Sequence, residues 1–370
     1  MKMLFCGDMA FTKSTGRNTI LSNSMREVFN NHDFRCVNFE CAMTGKKQKK
    51  IGPSLCLDES MKDAIKAADF DLFCLANNHI MDEGADGLKR IMEEFSGQNM
   101  TGAGMNREEA YRPYIFKRSG ISVGILNIAE NGFGACIGNG AGYAWFMDDT
   151  VQATLQELKA NCDYVIVMAH AGAENWNYPL PEIRSIYKRF IDWGADVVIG
   201  NHPHTAQGWE VYKEKYIYYS LGNFAFYEGK NAHNHTHSLL ISITVDADAI
   251  SCVPIYSCFK DNTVTLSEDR DFIDRINKCN NLLLDEERYI QCVNENLRSV
   301  YDQIRESYSA IVGLYAKPTA KNIAKTLIKR YIWKERFNDL RLYHNLQIET
   351  HLWMARRASM LVVTGESMRC

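Results

Sequence analysis

The sequence predicts an α/β fold built on a largely parallel sheet, and three observations carry that expectation. Short runs of aliphatic, β-branched and aromatic residues alternate with helical patterns from Met3 to about Ile199, the rhythm of strands joined by helical crossovers. Three runs, Val165–Met168, Val197–Ile199 and Ile217–Tyr219, lead into His170 and Glu174, into Asn201, His202 and His204, and into Ser220 and Asn223. Later runs, Ser238–Val245 and Ser251–Ile255, have no helix between them, so the sheet is expected to continue antiparallel and to be mixed or doubled.

The chain has 370 residues, 46% hydrophobic and 24% charged, enough for one large domain and a smaller one. A formal net charge of -3 gives no global attraction to nucleic acid, and none is expected as a partner. The twelve cysteines lack framework spacing, and Cys6 and Cys74 lie inside apparent buried strands, so they read as reduced thiols behaving as small hydrophobes. Met1–Phe5 reads as a first strand rather than a signal peptide. No run of about 18 apolar residues is present to span a bilayer. The expectation is a cytoplasmic protein, at most peripheral to a membrane.

In chain order, Met3–Cys6 is the first strand, ending at Gly7 and Asp8. Taken alone, Asp8 reads as a helix cap or turn former. Phe34–Phe39 is a second strand carrying Asn38 and Glu40 at its end, followed by a cationic loop, Lys46 to Lys50. That loop reads as a solvated surface or as an attractor for phosphate or a polyanion. Asp58–Ala68 is expected to be a helix and Phe70–Ala76 a buried strand that stops at Asn77, Asn78 and His79. Two amides and an imidazole there need partners if buried, which favours function over packing. A helix follows to about Phe95, then a hairpin of Tyr114–Phe116 and Ile121–Asn127, a glycine-rich loop over Gly132–Gly142 and a helix over Asp149–Ala160.

Composition shifts near Leu266, dividing the expected domains into residues 1–265 and a helical region 266–370. Helices are expected over Arg270–Leu284, Glu286–Ser307, Thr319–Arg336 and Tyr343–Ala358. Between Pro318 and Cys370 ten Lys or Arg face four acids. Such helices read as a solvated face on a bundle, or as a basic amphipathic surface for an anionic membrane or a partner protein.

Asp8, Glu40, Asn78, His170, His202 and His204 all fall at strand-end turns. Oxygen and imidazole donors in that mixture suit borderline divalent ions such as Mn, Fe or Zn, one or two of them. A carboxylate can bridge two ions about 3.5–4 Å apart, and such a pair clamps the attacking and leaving oxygens of a phosphoester.

Gly7-Asp8, Asn38-Phe39-Glu40, Ala76-Asn77-Asn78-His79 with Asp82 and Gly84, His170-Ala171-Gly172-Ala173-Glu174, Gly200-Asn201-His202-Pro203-His204 and Tyr219-Ser220-Leu221-Gly222-Asn223-Phe224 together resemble the motif series of the CapA family. That family is associated with capsule and poly-γ-glutamate synthesis and belongs to the calcineurin-like metallophosphatase superfamily. The resemblance covers roughly Met1–Val245 and implies two packed mixed β-sheets flanked by helices. It implies that Asp8 is the first metal aspartate, Glu40 a bridging carboxylate, Asn78 a ligand amide, and His170, His202 and His204 imidazole ligands. His79 matches the general acid, and Asn38, Asn77, Glu174, Asn201, Ser220 and Asn223 are expected around the substrate. The superfamily has a histidine two residues after its first aspartate, where this chain has Ala10. Asn201 and Ala171 replace an expected histidine and tryptophan. Many members carry an amino-terminal membrane anchor, in place of which this chain begins with a strand. The implied activity is that of a metal-dependent phosphoesterase or related hydrolase acting on a phosphoester or polymer precursor. The alternative is a noncatalytic assembly factor for a polymer synthase.

Overall fold

The computed structural model describes residues 1–229, 236–309, 321, 324 and 339–364. The chain opens with β1 (Lys2–Phe11), α1 (Asn23–Asn30), β2 (Phe34–Phe39), α2 (Lys62–Lys66), β3 (Leu72–Cys74), α3 (Gly84–Glu94) and β4 (Asn99–Thr101). Next come β5 (Ala103–Gly104), α4 (Arg107–Tyr111), β6 (Tyr114–Arg118), β7 (Ile121–Ala129), β8 (Gly142–Tyr143), α5 (Thr150–Asn161), β9 (Tyr164–His170), α6 (Pro181–Asp192) and β10 (Val197–Asn201). The rest is β11 (Trp209–Tyr212), β12 (Lys215–Tyr218), β13 (Asn223–Tyr227), β14 (His237–Val245), β15 (Ile250–Lys260), β16 (Thr263–Leu266), α7 (Arg270–Leu283), α8 (Glu286–Ser309), α9 (Asp339–Gln347) and α10 (Glu349–Thr364).

Two mixed sheets form, each parallel at its centre. One has the order β16-β15-β14-β1-β2-β3-β4, with β13 also paired to β1. Its β1-β2-β3-β4 steps are parallel, whereas β14, β15 and β16 add antiparallel. The other has the order β11-β12-β10-β9-β7-β6, parallel from β12 to β7 and antiparallel at both edges. The expected hairpin β6–β7 turns at Ser119 and Gly120, both at positive φ.

Period-2 alternation explains why the strands are apolar throughout. Met3, Phe5, Phe34, Cys36, Leu72 and Ile241 point into a core shared with Ile125, Ile166, Met168, Val197 and Ile199 of the second sheet. Leu4, Cys6, Val37 and Phe73 point the other way, onto Met25 and Phe29 of α1, Ile65 of α2 and Leu88 and Ile91 of α3. Strands covered on both faces lose the polar alternation of a half-exposed sheet.

The first strand runs past its expected end at Gly7-Asp8 to Phe11, because β13 pairs with it in parallel beyond a register shift at Asp8. Gly7 permits this: a Cβ there would sit 2.0 Å from the carbonyl oxygen of Gly222, the oxygen that accepts from the Asp8 N–H at 3.0 Å.

The first compact unit ends at Leu284 rather than near Leu266. Helix α7 belongs to it, since Phe272 and Ile276 complete the core between the sheets. The second unit comprises Asp285–Cys370 with Lys49–Pro53 and Asn131–Phe133. Within it Asn131 donates its N–H to Glu349 Oε2 (2.9 Å), Gln347 Nε2 donates to Asn131 Oδ1 (2.8 Å) and Phe133 stacks on His344. The expected helix over Tyr343–Ala358 is two helices, α9 and α10, and that over Thr319–Arg336 lies largely outside the described residues. Arg357, counted among the basic residues of the tail, is fully buried. No helix among the described residues is long and apolar enough to cross a membrane.

Candidate metal centre

The carboxyl ends of the central parallel strands of both sheets meet at one place. Asp8 comes from β1, Glu40 from the residue after β2, Asn78 and His79 from the turn after β3, His170 from the end of β9, and His202 and His204 from the turn after β10. Asp8, Glu40, His79, His170, His202 and His204 are buried, and Asn78 is half-buried.

Their side chains converge. Nε2 of His170 lies 3.6 Å from Glu40 Oε1 and 2.9 Å from Asn78 Oδ1, and Nδ1 of His202 lies 3.0 Å from the same Nε2. Asp8 sends Oδ1 to within 3.8 Å of His170 Nδ1 and Oδ2 to within 3.6 Å of His204 Nδ1. Asp8, Glu40 and His170 form one group of ligand atoms within 4.8 Å of one another; Glu40, His202 and His204 form a second. Glu40 is common to both.

Local chemistry builds each of these positions. Asn77, expected near substrate, is instead fully buried; its Oδ1 accepts the N–H groups of His79 and Ile80 (3.1 and 2.9 Å) and its Nδ2 donates to Phe39 O (2.9 Å). It shapes the turn that presents Asn78 and His79. Asn38 donates Nδ2 to Asp8 Oδ1 at 2.7 Å and lies 3.1 Å from His170 Nδ1. Asn223 Oδ1 meets His204 Nδ1 at 2.9 Å, and Ser220 Oγ accepts the Gly222 N–H at 3.2 Å. Asn38, Ser220 and Asn223 therefore sit behind the ligand set. Glu174 lies on the exposed loop after His170, and Asn201 is buried at the end of β10. Ala10 is buried in the apolar cluster and offers no donor atom.

The backbone is strained at the centre. His202 has φ 97° and His204 φ 57°, in a turn where the His202 N–H donates to Asp8 Oδ2 at 3.2 Å. Non-glycine residues persist at positive φ where the surroundings hold them, as functional sites often do.

Electrostatics favour a cation. Burial, then the neighbouring imidazoles of His202, His204 and His79, hold His170 well below its usual range, so it is neutral and offers a lone pair. Burial pushes Asp8 up to about 6, against the opposing pull of His204, the His202 N–H and Asn38. The amide oxygens Oδ1 of Asn38 and Asn201 are buried without a hydrogen-bond partner among the described residues, an unfavourable state. Two buried carboxylates, three imidazoles and an amide oxygen fit a divalent ion of the borderline class.

His79 is arranged differently. Its Nδ1 is 2.7 Å from Asp82 Oδ2, and its Nε2 points toward the centre, 3.9 Å from Glu40 Oε1. Asp82 also accepts the Leu55 N–H at 2.8 Å, which fixes the carboxylate.

Two further buried residues at this edge escape a reading of strand ends. Asn127 breaks the apolar run that ends the expected strand, yet it lies inside β7, accepting from Ala76 N at 2.7 Å and donating to Met168 O at 3.1 Å. The strand continues through Ala129, so the residue just past its end is Glu130. The signal was available: Glu130 follows an apolar run just as Glu40 does.

A family model described as bacterial capsule synthesis protein PGA_cap matches residues 2–228. The PGA biosynthesis protein CapA of Bacillus subtilis (strain 168) is 30% identical over 227 residues, covering 59% of this chain and 59% of the relative. The capsule biosynthesis protein CapA of Bacillus anthracis is 31% identical over 212 residues, covering 54% and 52%. A probable polyglutamine synthesis accessory protein of Mycobacterium tuberculosis (strain CDC 1551 / Oshkosh) is 29% identical over 188 residues, covering 45% and 48%. The chain thus spans about half the length of the curated relatives it matches.

Proposed function

Because the chain belongs to the bacterial capsule synthesis protein PGA_cap family, we propose that it serves in building a bacterial capsule or related cell-surface polymer, of polysaccharide or poly-γ-glutamate. Its chemical role is that of a metal-dependent phosphoesterase or related hydrolase acting on a phosphoester or polymer precursor. The observation that carries this reading is the His79–Asp82 pair, 2.7 Å apart, directed at the cluster of carboxylates and imidazoles. Packing alone gives no reason to aim a carboxylate-braced imidazole at buried ligand atoms.

Asp8, Glu40, Asn78, His170, His202 and His204 would hold one or two ions of Mn, Fe or Zn, with Glu40 shared. A bound divalent ion supplies Lewis acidity toward a phosphoryl oxygen and acidifies a water. Asp82 orients the His79 ring through Nδ1 and offers a counter-charge to its imidazolium form, which leaves Nε2–H to protonate a leaving oxygen. Asn77 keeps that ring in place through the backbone of the turn. The half-buried Asn78 and the exposed Glu174 are the groups best placed to meet a substrate.

A second reading is a noncatalytic assembly factor that retains the fold while the basic helical region docks on a synthase or an anionic membrane. It is favoured by Ala10, an apolar residue where the wider superfamily has a ligand, and by the description of the mycobacterial relative as an accessory protein. Metal analysis of the purified protein, with a screen of phosphomonoesters and phosphodiesters, separates the two. Turnover that depends on bound metal supports the hydrolase; full metal occupancy without turnover on any ester supports the assembly factor.

A further inference from the structure

Glu130 is used by neither reading, although it is a buried acid at the end of β7 beside the two histidine turns. Its backbone is tied to the centre: its N–H donates to His170 O at 3.0 Å, and its carbonyl accepts from Tyr143 Oη at 3.2 Å. Its carboxylate Oε1 accepts the Gly172 N–H at 3.3 Å and stands 3.4 Å from Nε2 of His202. One carboxylate thus touches both the turn after β9 and the turn after β10. Gly172 can approach because it has no side chain: its φ is 127°, and a Cβ would meet Pro203 Cγ at 3.2 Å.

The hydrogen-bond directions along this line are consistent. Asn38 Nδ2 can only donate, so His170 Nδ1 accepts and the His170 proton lies on Nε2. That proton faces Asn78 Oδ1 and Nδ1 of His202, which must then be the unprotonated nitrogen. The remaining proton of His202 sits on Nε2, toward Glu130. A metal-binding imidazole characteristically gives its second N–H to a carboxylate, which sets the tautomer and the ring orientation.

We infer that Glu130 is a positioning residue for the metal centre: it holds His202 as the Nε2–H tautomer and so keeps the Nδ1 lone pair aimed at the ion. The inference rests on the metal reading above for its purpose, but the tautomer exists in the ion-free protein too. In this role Glu130 acts through His202.

The test uses the full chain with and without manganese(II). Proton–nitrogen correlation spectra of the histidine rings, with His202 assigned by its loss in His202→Asn, read the tautomer in ion-free protein. Wild type is expected to show a protonated Nε2 and a bare Nδ1 at His202. Glu130→Ala is expected to mix the two tautomers and to weaken manganese(II) binding, measured by calorimetry, by about 10–100-fold. An unchanged His202 tautomer in Glu130→Ala overturns the assignment whatever the affinity does. Should that variant not fold, Glu130→Gln decides: it keeps an acceptor without the charge, and retained tautomer with weaker binding supports the role, while unchanged binding overturns it. If wild type binds no manganese(II), the metal reading fails, and the ring spectra still decide the place of Glu130.

Discussion

Nε2 of His170 and Nδ1 of His202 lie 3.0 Å apart, and one proton serves both nitrogens. Two neutral imidazoles so placed, with a fully buried Glu40 oxygen 3.6 Å from the first, present converging lone pairs once that proton shifts to the other nitrogen of the His170 ring, a change of tautomer that releases no proton. Divalent ion binding should instead release the proton of Asp8, whose carboxyl burial pushes up to about 6, and so strengthen as pH rises through that value.

His202→Ala removes one of those lone pairs and the neighbour that positions His170. Bound metal is expected to fall with affinity lowered by about 10²-fold or more, since even outer partners of a metal ligand contribute 10–100-fold. Elemental analysis after gel filtration, with calorimetric titration, reads this. Wild-type metal content in the variant would remove His202 from the ligand set.

His79→Asn and Asp82→Asn should act on rate and leave metal in place. Turnover is expected to fall by roughly 10²- to 10⁴-fold in His79→Asn, with the smallest loss on a nitrophenyl ester whose leaving group needs no proton. Equal losses on nitrophenyl and alkyl esters would argue against a general acid. A structural histidine would instead lower the melting temperature, from about 1–3 kcal/mol for its unpaired partner, with rates unchanged.

Away from the site, Arg184 of α6 pairs with Glu210 of β11 at 2.7 Å, their side chains only 8% and 9% exposed, and Tyr219 donates its hydroxyl to the same carboxylate. Burial raises the Glu210 carboxyl, but the Arg184 and Tyr219 hydrogen bonds outweigh it and leave it below its ordinary 4.5. A depressed folded-state pKa contributes stability above the unfolded value and loses it as pH falls through the folded one. Glu210→Gln should thus destabilise by about 1.5–3 kcal/mol near neutral pH, with the gap to wild type closing as pH drops below 4.5. Urea midpoints at neutral and acid pH measure the gap; one of constant size contradicts the ionic account.

Ile276 of α7 is fully buried in the core between the sheets. Ile276→Ala is expected to lower unfolding free energy by about 2–5 kcal/mol, read by denaturant melts. A loss below about 0.5 kcal/mol, the size of an ordinary surface change, would put the helix outside the first unit and restore a boundary near Leu266.

Local sequence determined the strands and the polar residues at their ends, because apolar runs and turn residues act within a few positions of one another. Glu40, Asn78, His79, His170, His202 and His204 were legible for that reason, and Asp8 as the polar residue that interrupts an apolar run inside β1. Tertiary structure alone decided how far β1 runs, since Gly7 yields to Gly222, a residue far along the chain. It also decided that Asn127 lies inside a strand, because its amide finds Ala76 just past β3 and Met168 on β9, and that α7 belongs with the sheets, because Phe272 and Ile276 close their core. The carboxylate of Glu130 took its meaning the same way, from Gly172 and His202 on two other strand ends. Pairings between distant segments leave no periodic trace in the chain, and a polar residue with a distant buried partner reads in sequence as the end of an element.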